Sequence, residues 1–120
     1  MKKLHLFTVL AVLSGSSALF ASEVIEDAMK KYHKAPEGTP PTCKKVTEGT
    51  ASESEVADVL KCYESMCAEA PPKGDKAAWV KRCQALIAAV KKIQAKDASG
   101  VSDHKKAVNC KACHTAHKPD

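Results

Sequence analysis

The residues of this 120-residue chain with the clearest chemical potential lie near its end, in the pentapeptide Cys110-Lys111-Ala112-Cys113-His114. On a helix, positions i, i+3 and i+4 share one face, so both thiols and the imidazole would point the same way. This C-x-x-C-H spacing is the attachment signature of a c-type haem. Cys110 and Cys113 would form thioethers with the two vinyl groups, and His114 would bind the iron as its proximal ligand. The sequence therefore predicts one covalent haem c.

Two other interpretations of the same residues remain as alternatives. Cys110 and Cys113 could form a redox disulfide, although no strand–helix alternation of the thioredoxin kind surrounds them. Adding His117 extends the motif to C-x-x-C-H-x-x-H, whose thiolate and imidazole ligands suit zinc, but four ligands would crowd one helix. The remote alternative to a haem protein is thus a disulfide-stapled or zinc-binding interaction module.

The ligand on the distal side of the iron determines what a haem there would do. Met29, on the apolar stripe of the first predicted helix, is the expected distal ligand. A thioether opposite an imidazole raises the reduction potential of the iron, which suits an electron carrier. His33, at i+4 from Met29, is the alternative distal ligand and would give a lower-potential bis-histidine haem. An open or water-bearing site would instead bind a small gas. His104 and His117 are expected to face solvent or the haem edge, without ligand roles.

The other four cysteines are enough for two structural disulfides. Cys67 fits the inner side of the second predicted helix and Cys83 lies in the apolar stripe of the third, whereas Cys62 points off its helix. We therefore favour Cys67–Cys83 and Cys43–Cys62, with the other two connectivities and free thiols left open. Each bridge would stabilise the fold by about 2–4 kcal/mol.

The first 21 residues have the pattern of a secretory signal peptide. Two lysines, an apolar run over 4–13 and small residues up to Ala21 form its three regions. Cleavage after Ala21, uncertain by about three residues, would leave one domain, 22–120, in the periplasm. Disulfides form in that oxidising compartment. Beyond the signal no apolar run approaches the roughly 20 residues of a membrane span, so we expect no stable membrane insertion after cleavage.

Charge and composition exclude several classes of function. The formal charge of +5 falls to +3 when the signal's Lys2 and Lys3 are removed, and the remaining lysines are dispersed, so a nucleic-acid partner is not expected. The chain has no paired carboxylates, nucleophile–base arrangement or phosphate loop, so we expect no enzyme activity. An acidic redox partner protein is the expected partner, oriented by the lysines that would surround the haem end: Lys30, Lys31, Lys34, Lys105, Lys106 and Lys111.

Apolar residues recur at helical spacing throughout residues 22–120, except in the connecting segments, and no strand pattern occurs there. A first helix follows Ser22, and a turn or two near Cys43–Glu48 ends at Gly49. Ser52 and Glu55 form a capping box that begins the second helix, and Asp75 caps the third. The apolar stripes of the three helices are Val24, Ile25, Ala28, Met29 and Tyr32, then Val56, Val59, Leu60, Tyr63 and Met66, then Trp79, Cys83, Leu86, Val90 and Ile93.

The fourth predicted helix, over 101–117, has only Val101 and Val108 as large aliphatic residues. Side-chain burial alone would hold such a helix weakly, and a haem would supply the missing apolar surface. Four helices with short connections favour an all-α, up-and-down four-helix bundle. In that arrangement the start of the first helix would lie near the end of the fourth and cover the haem.

A C-x-x-C-H on the last helix, a few residues from the C-terminus, resembles the class II c-type cytochromes: cytochrome c-prime and its low-spin relatives. The resemblance implies a four-helix bundle with haem held by the fourth helix. The run Ile25-Glu26-Asp27-Ala28-Met29 also resembles the soluble b-type bundle cytochrome, which implies Met29 as an axial ligand. High-spin members of the class bind gases such as NO and CO, and low-spin members carry electrons. This chain is shorter and has four additional cysteines, and its first helix lacks the arginine often found near the haem propionates, so dimer formation stays open.

Overall fold

The computed structural model describes residues 17–119, and every regular element in that part is helical. The all-α prediction is therefore confirmed there, and no helix among these residues is long and apolar enough to cross a membrane. Most of the predicted signal peptide, residues 1–16, lies outside the described residues. The elements are α1 (Ser17–Ala28), which continues into a π-helical turn (Met29–His33), α2 (Thr42–Glu48), α3 (Glu53–Cys67), α4 (Lys76–Gln94), α5 (Gly100–Ala107) and α6 (Cys110–His117).

The helix starts that the sequence indicated are formed by side-chain caps. Ser52 Oγ accepts from the Glu55 N–H at 3.1 Å, and the Ser52 N–H donates to Glu55 Oε1 at 3.1 Å, which completes the capping box of α3. Asp75 accepts from the Ala78 N–H at 3.0 Å at the start of α4. These caps satisfy N–H groups that have no partner inside the helix.

An antiparallel hairpin of α3 and α4 forms the centre of the molecule. At one end the Trp79 indole N–H donates to the Glu69 carbonyl at 3.0 Å, and at the other Lys96 pairs with Glu53 at 2.8 Å. A disulfide joins Cys67 to Cys83, so this predicted bridge is confirmed. The predicted stripes face each other across the hairpin, and their buried members are Val56, Val59, Tyr63, Met66, Trp79, Cys83 and Val90.

The shorter elements pack around this hairpin. α1 lies against α3, α5 lies against α4, and α2 lies among α5, α3 and the π-helical turn. α1 begins at Ser17, before the predicted start after Ser22, and it runs through the predicted cleavage point at Ala21. The short helix expected near Cys43–Glu48 is present as α2, and Gly49 ends it in the left-handed conformation at φ 74°.

The single helix predicted over 101–117 is wrong, because the chain breaks there into α5 and α6. Val108 and Asn109 have ψ angles of 68° and 88°, which are not helical. The Asn109 side chain accepts from the Ala112 N–H at 3.0 Å and so begins a new helix. This break starts α6 at Cys110, the first cysteine of the C-x-x-C-H pentapeptide.

Candidate haem-attachment site

The C-x-x-C-H residues lie along α6, with both thiols free. Cys110 and His114 are exposed, whereas Cys113 is half-buried and packs against the hydrophobic core. Burial raises the pKa of the Cys113 thiol. Two unpaired thiols and an accessible imidazole on one short helix match the chemistry of covalent haem attachment.

His117 holds the end of α6 against α4, which corrects the expectation that it faces solvent or the haem edge. The ring is only 2% exposed and stands edge-on to Trp79, with ring centroids 5.2 Å apart. Its Nδ1–H donates to the Lys73 carbonyl at 3.0 Å. The Trp79 ring and the Lys73 carbonyl contact His117, while its Nε2 is buried without a hydrogen-bond partner among residues 17–119. The sequence did not show that Trp79 and Lys73 would lie there.

His104 is also buried, again contrary to expectation, within a closed hydrogen-bond network. Thr47 Oγ1 donates its only proton to the Cys43 carbonyl at 2.9 Å. The hydroxyl oxygen therefore accepts a hydrogen bond from the His104 Nδ1–H at 3.3 Å. His104 Nε2 then accepts from the Tyr63 hydroxyl at 3.1 Å. Burial lowers the pKa of His104 to about 4, so the ring is neutral at neutral pH. The network joins α2, α3 and α5.

The predicted bridge between Cys43 and Cys62 is not formed in the structure, where both thiols are free. The Cys43 thiol instead lies 3.8 Å from the Tyr63 hydroxyl. Burial raises the pKa of both thiols, that of Cys62 to about 11. Both are therefore protonated and weakly nucleophilic at neutral pH.

The two candidate distal ligands occupy different surroundings at the end of the first helix. Met29 is half-buried and packs against the core. The His33 ring centroid lies 5.9 Å from that of Tyr63, and its Nε2 is buried without a hydrogen-bond partner among the described residues. Burial, and then repulsion from the nearby His114, lower the pKa of His33.

The residues around α6 fit a haem better than a metal ion bound directly. Among residues 17–119 no group of three or more His, Cys, Asp or Glu side chains is arranged to hold a metal ion, so the zinc alternative lacks its ligand set. A covalent haem requires only the two thiols and one axial imidazole from this helix.

The sequence did not indicate the hydrogen bonds that buried His104 forms with Thr47 and Tyr63. A signal for His104 was present, because it stands at i+3 from Val101 and i−4 from Val108, in the row of apolar residues of that segment. A histidine on an apolar row is commonly buried with its nitrogens satisfied. Its partners lie on other helices, and so could not be read from local spacing.

Comparison with known proteins identifies no relative: no protein-family model, no curated protein and no solved structure matches the chain.

Proposed function

We propose that this chain is an exported monohaem c-type cytochrome that carries single electrons in the periplasm. The observation that carries the proposal is the C-x-x-C-H pentapeptide on its own helix, with both thiols unpaired. The proposal includes the up-and-down helical bundle of the class II c-type cytochromes and cleavage of the first 21 residues as a signal.

Each residue of α6 has a distinct role in this proposal. Cys110 and Cys113 hold the haem through thioether bonds, and His114 binds the iron through its imidazole. When bound, the haem supplies a one-electron couple between ferrous and ferric iron. Met29 and His33, both on the π-helical turn, are the candidates for the opposite axial position.

The surroundings favour electron transfer over reactions on a substrate. Tyr63 and His104 satisfy each other's polar atoms, and burial keeps both uncharged, because it raises the pKa of the phenol and lowers that of the imidazole. His117 fixes α6 on α4 through Trp79 and the Lys73 carbonyl. These uncharged, hydrogen-bonded side chains are weakly reactive, which suits a group that changes only its oxidation state.

Covalent haem attachment in the periplasm tests the proposal. The full chain is produced in a bacterium with a c-type haem maturation system, and haem is detected after denaturation by its absorption and by the mass of the chain. We expect one haem per chain, lost in the Cys110→Ala/Cys113→Ala double variant. The matched control, Cys43→Ala/Cys62→Ala, removes the other pair of free cysteines and keeps the haem.

Other results would contradict the proposal. A colourless periplasmic protein with unmodified Cys110 and Cys113 would exclude a c-type cytochrome. A haem protein that binds carbon monoxide in its ferrous form without a ligand having to leave would support the gas-binding alternative instead. Reversible one-electron voltammetry, with no carbon monoxide binding, is the result expected for an electron carrier.

A further inference from the structure

The axial ligand opposite His114 can be inferred by comparing Met29 with His33. Both belong to the π-helical turn Met29–His33, so the same backbone segment carries them. π-Helical turns inside helices are frequent at functional sites. The surroundings of the two side chains distinguish them.

Met29 already has a structural role without any haem. It is half-buried and packs against the core cluster that includes Ala28 and residues of α3 and α4. A thioether needs no hydrogen-bond partner, and a methionine in such a place commonly fills space.

One nitrogen of the His33 ring lacks a hydrogen bond within residues 17–119. Its Nε2 is buried without a hydrogen-bond partner in the described part of the chain, although buried polar atoms are nearly always satisfied. The hydroxyl of Tyr63, whose ring centroid lies 5.9 Å from that of His33, donates to His104 instead, and His104 Nδ1 is bonded to Thr47. With its proton on Nδ1, the His33 ring would present a free electron pair at this nitrogen.

His33 and α6 reach the same part of the core. The His33 ring lies 5.9 Å from that of Tyr63, and Cys113 of α6 packs against the core cluster to which Tyr63 belongs. After the larger effect of burial, charge repulsion from His114 also lowers the pKa of His33. The two rings come from opposite ends of the described chain, one from the π-helical turn and one from α6. Coordination of iron through Nε2 would satisfy the unpaired nitrogen.

We propose that His33, through Nε2, is the second axial ligand of the haem iron opposite His114, while Met29 remains part of the core. This inference rests on the proposed function, because it requires the haem held by Cys110 and Cys113. It changes the expected redox behaviour: two imidazoles give a lower reduction potential than an imidazole with a thioether, since methionine ligation raises the potential.

Spectroscopy of the exported holoprotein tests the assignment with matched variants. The variants are His33→Ala, His33→Met and Met29→Leu, the last of which removes the sulfur while nearly keeping the volume. Electron paramagnetic resonance and near-infrared magnetic circular dichroism of the ferric protein report the axial ligands. We expect a low-spin bis-imidazole signature in the unchanged protein and in Met29→Leu. His33→Ala becomes high-spin, and free imidazole restores its low-spin signature.

His33→Met keeps the assignment testable if His33→Ala folds poorly. We expect this variant to acquire the red ferric band of thioether ligation and a higher midpoint potential, whereas Met29→Leu leaves the potential nearly unchanged. A thioether band in the unchanged protein that disappears in Met29→Leu would overturn the assignment in favour of Met29. Spectra that His33→Ala leaves unchanged would also overturn it.

Failure of the proposed function would look different from failure of this assignment. A chain without covalent haem removes both, whereas a covalently bound haem with methionine or open distal ligation overturns only the role of His33. Haem content is therefore measured on every sample before its spectrum is interpreted.

Discussion

His104 is the single residue whose ionisation is most directly coupled to folding. The ring is completely buried, and its two nitrogens are bonded to Tyr63 and Thr47. Protonation would place a charge in the interior and remove the acceptor that the Tyr63 hydroxyl uses. Burial therefore lowers the pKa of His104 to about 4, from the ordinary value of 6.5.

This shift predicts a loss of stability in mild acid. Because the pKa is lower in the folded state, the stabilisation is complete above pH 6.5, the unfolded value, and is lost as the pH falls toward 4. A shift of this size corresponds to about 3 kcal/mol. We expect the unfolding free energy, measured with urea over this range, to fall by about that much more in the unchanged protein than in His104→Gln.

The glutamine variant serves as the control, because it keeps hydrogen-bonding groups in the same place but cannot titrate. It also separates His104 from His33, whose pKa burial and His114 lower in the same direction. If the unfolding free energies of the unchanged protein and of His104→Gln fall equally with pH, His104 does not control the loss of stability in acid.

At the scale of elements, the seating of α6 depends on the loop that precedes α4. Gly74 has φ 85°, and a Cβ there would meet the Ala116 carbonyl and lie 3.2 Å from His117 Nδ1. Gly38 has nearly the same conformation, φ 83°, with no atom within 4 Å of an added Cβ. Alanine substitutions at the two glycines therefore separate two contributions to the unfolding free energy: the cost of the left-handed backbone conformation and the cost of displacing α6.

We expect Gly38→Ala to lower the unfolding free energy by about 1–2 kcal/mol, the cost of a left-handed alanine. Gly74→Ala should lower it by about 2 kcal/mol more, because the added methyl group also breaks the bond between His117 and the Lys73 carbonyl. Urea denaturation of both variants measures the difference. Equal effects would show that the contact between this loop and α6 does not stabilise the protein.

The sequence predicted the elements that local signals define. The capping box at Ser52, the Asp75 cap and the stripe from Trp79 to Ile93 led to α3 and α4, and the Cys67–Cys83 bridge followed from those stripes. The break at Asn109 was missed, although asparagine is a preferred N-cap, because the helical pattern was extended across it.

The candidate site was less predictable, because its partners come from distant segments. Cys110, Cys113 and His114 follow from one local motif, whereas the contacts of His33 with Tyr63 and of His117 with Trp79 depend on how the helices pack. The predicted bridge between Cys43 and Cys62 is not formed, because the packing of α2 against α3 determines which group faces the Cys43 thiol. Tyr63 lies beside the Cys43 thiol in the structure.

At the scale of the whole molecule, the relevant property is the distribution of positive charge. The six lysines expected around the haem end are all exposed, and Lys30 forms only a solvent-exposed pair with Glu26 at 3.6 Å. Exposed pairs of this kind contribute little to stability. If the proposed acidic redox partner binds at this end, we expect these lysines to raise the association rate.

Salt dependence and two matched charge reversals test this steering. Lys111 is exposed on α6 beside Cys110, and Lys91 is exposed in the last turn of α4, at the opposite end of the hairpin from Trp79. At about 0.1 M salt, where the Debye length is about 10 Å, Lys111→Glu should slow oxidation by a trivalent anionic complex on the order of threefold, and Lys91→Glu should leave it nearly unchanged. At about 0.01 M salt, where the Debye length is about 30 Å, both variants should be oxidised more slowly than the unchanged protein.

A cationic oxidant serves as the control, because both substitutions should raise its rate of reaction. Stopped-flow absorption of the haem measures each oxidation rate. Equal responses of the two variants at about 0.1 M would mean that net charge, rather than lysines at the haem end, governs the encounter.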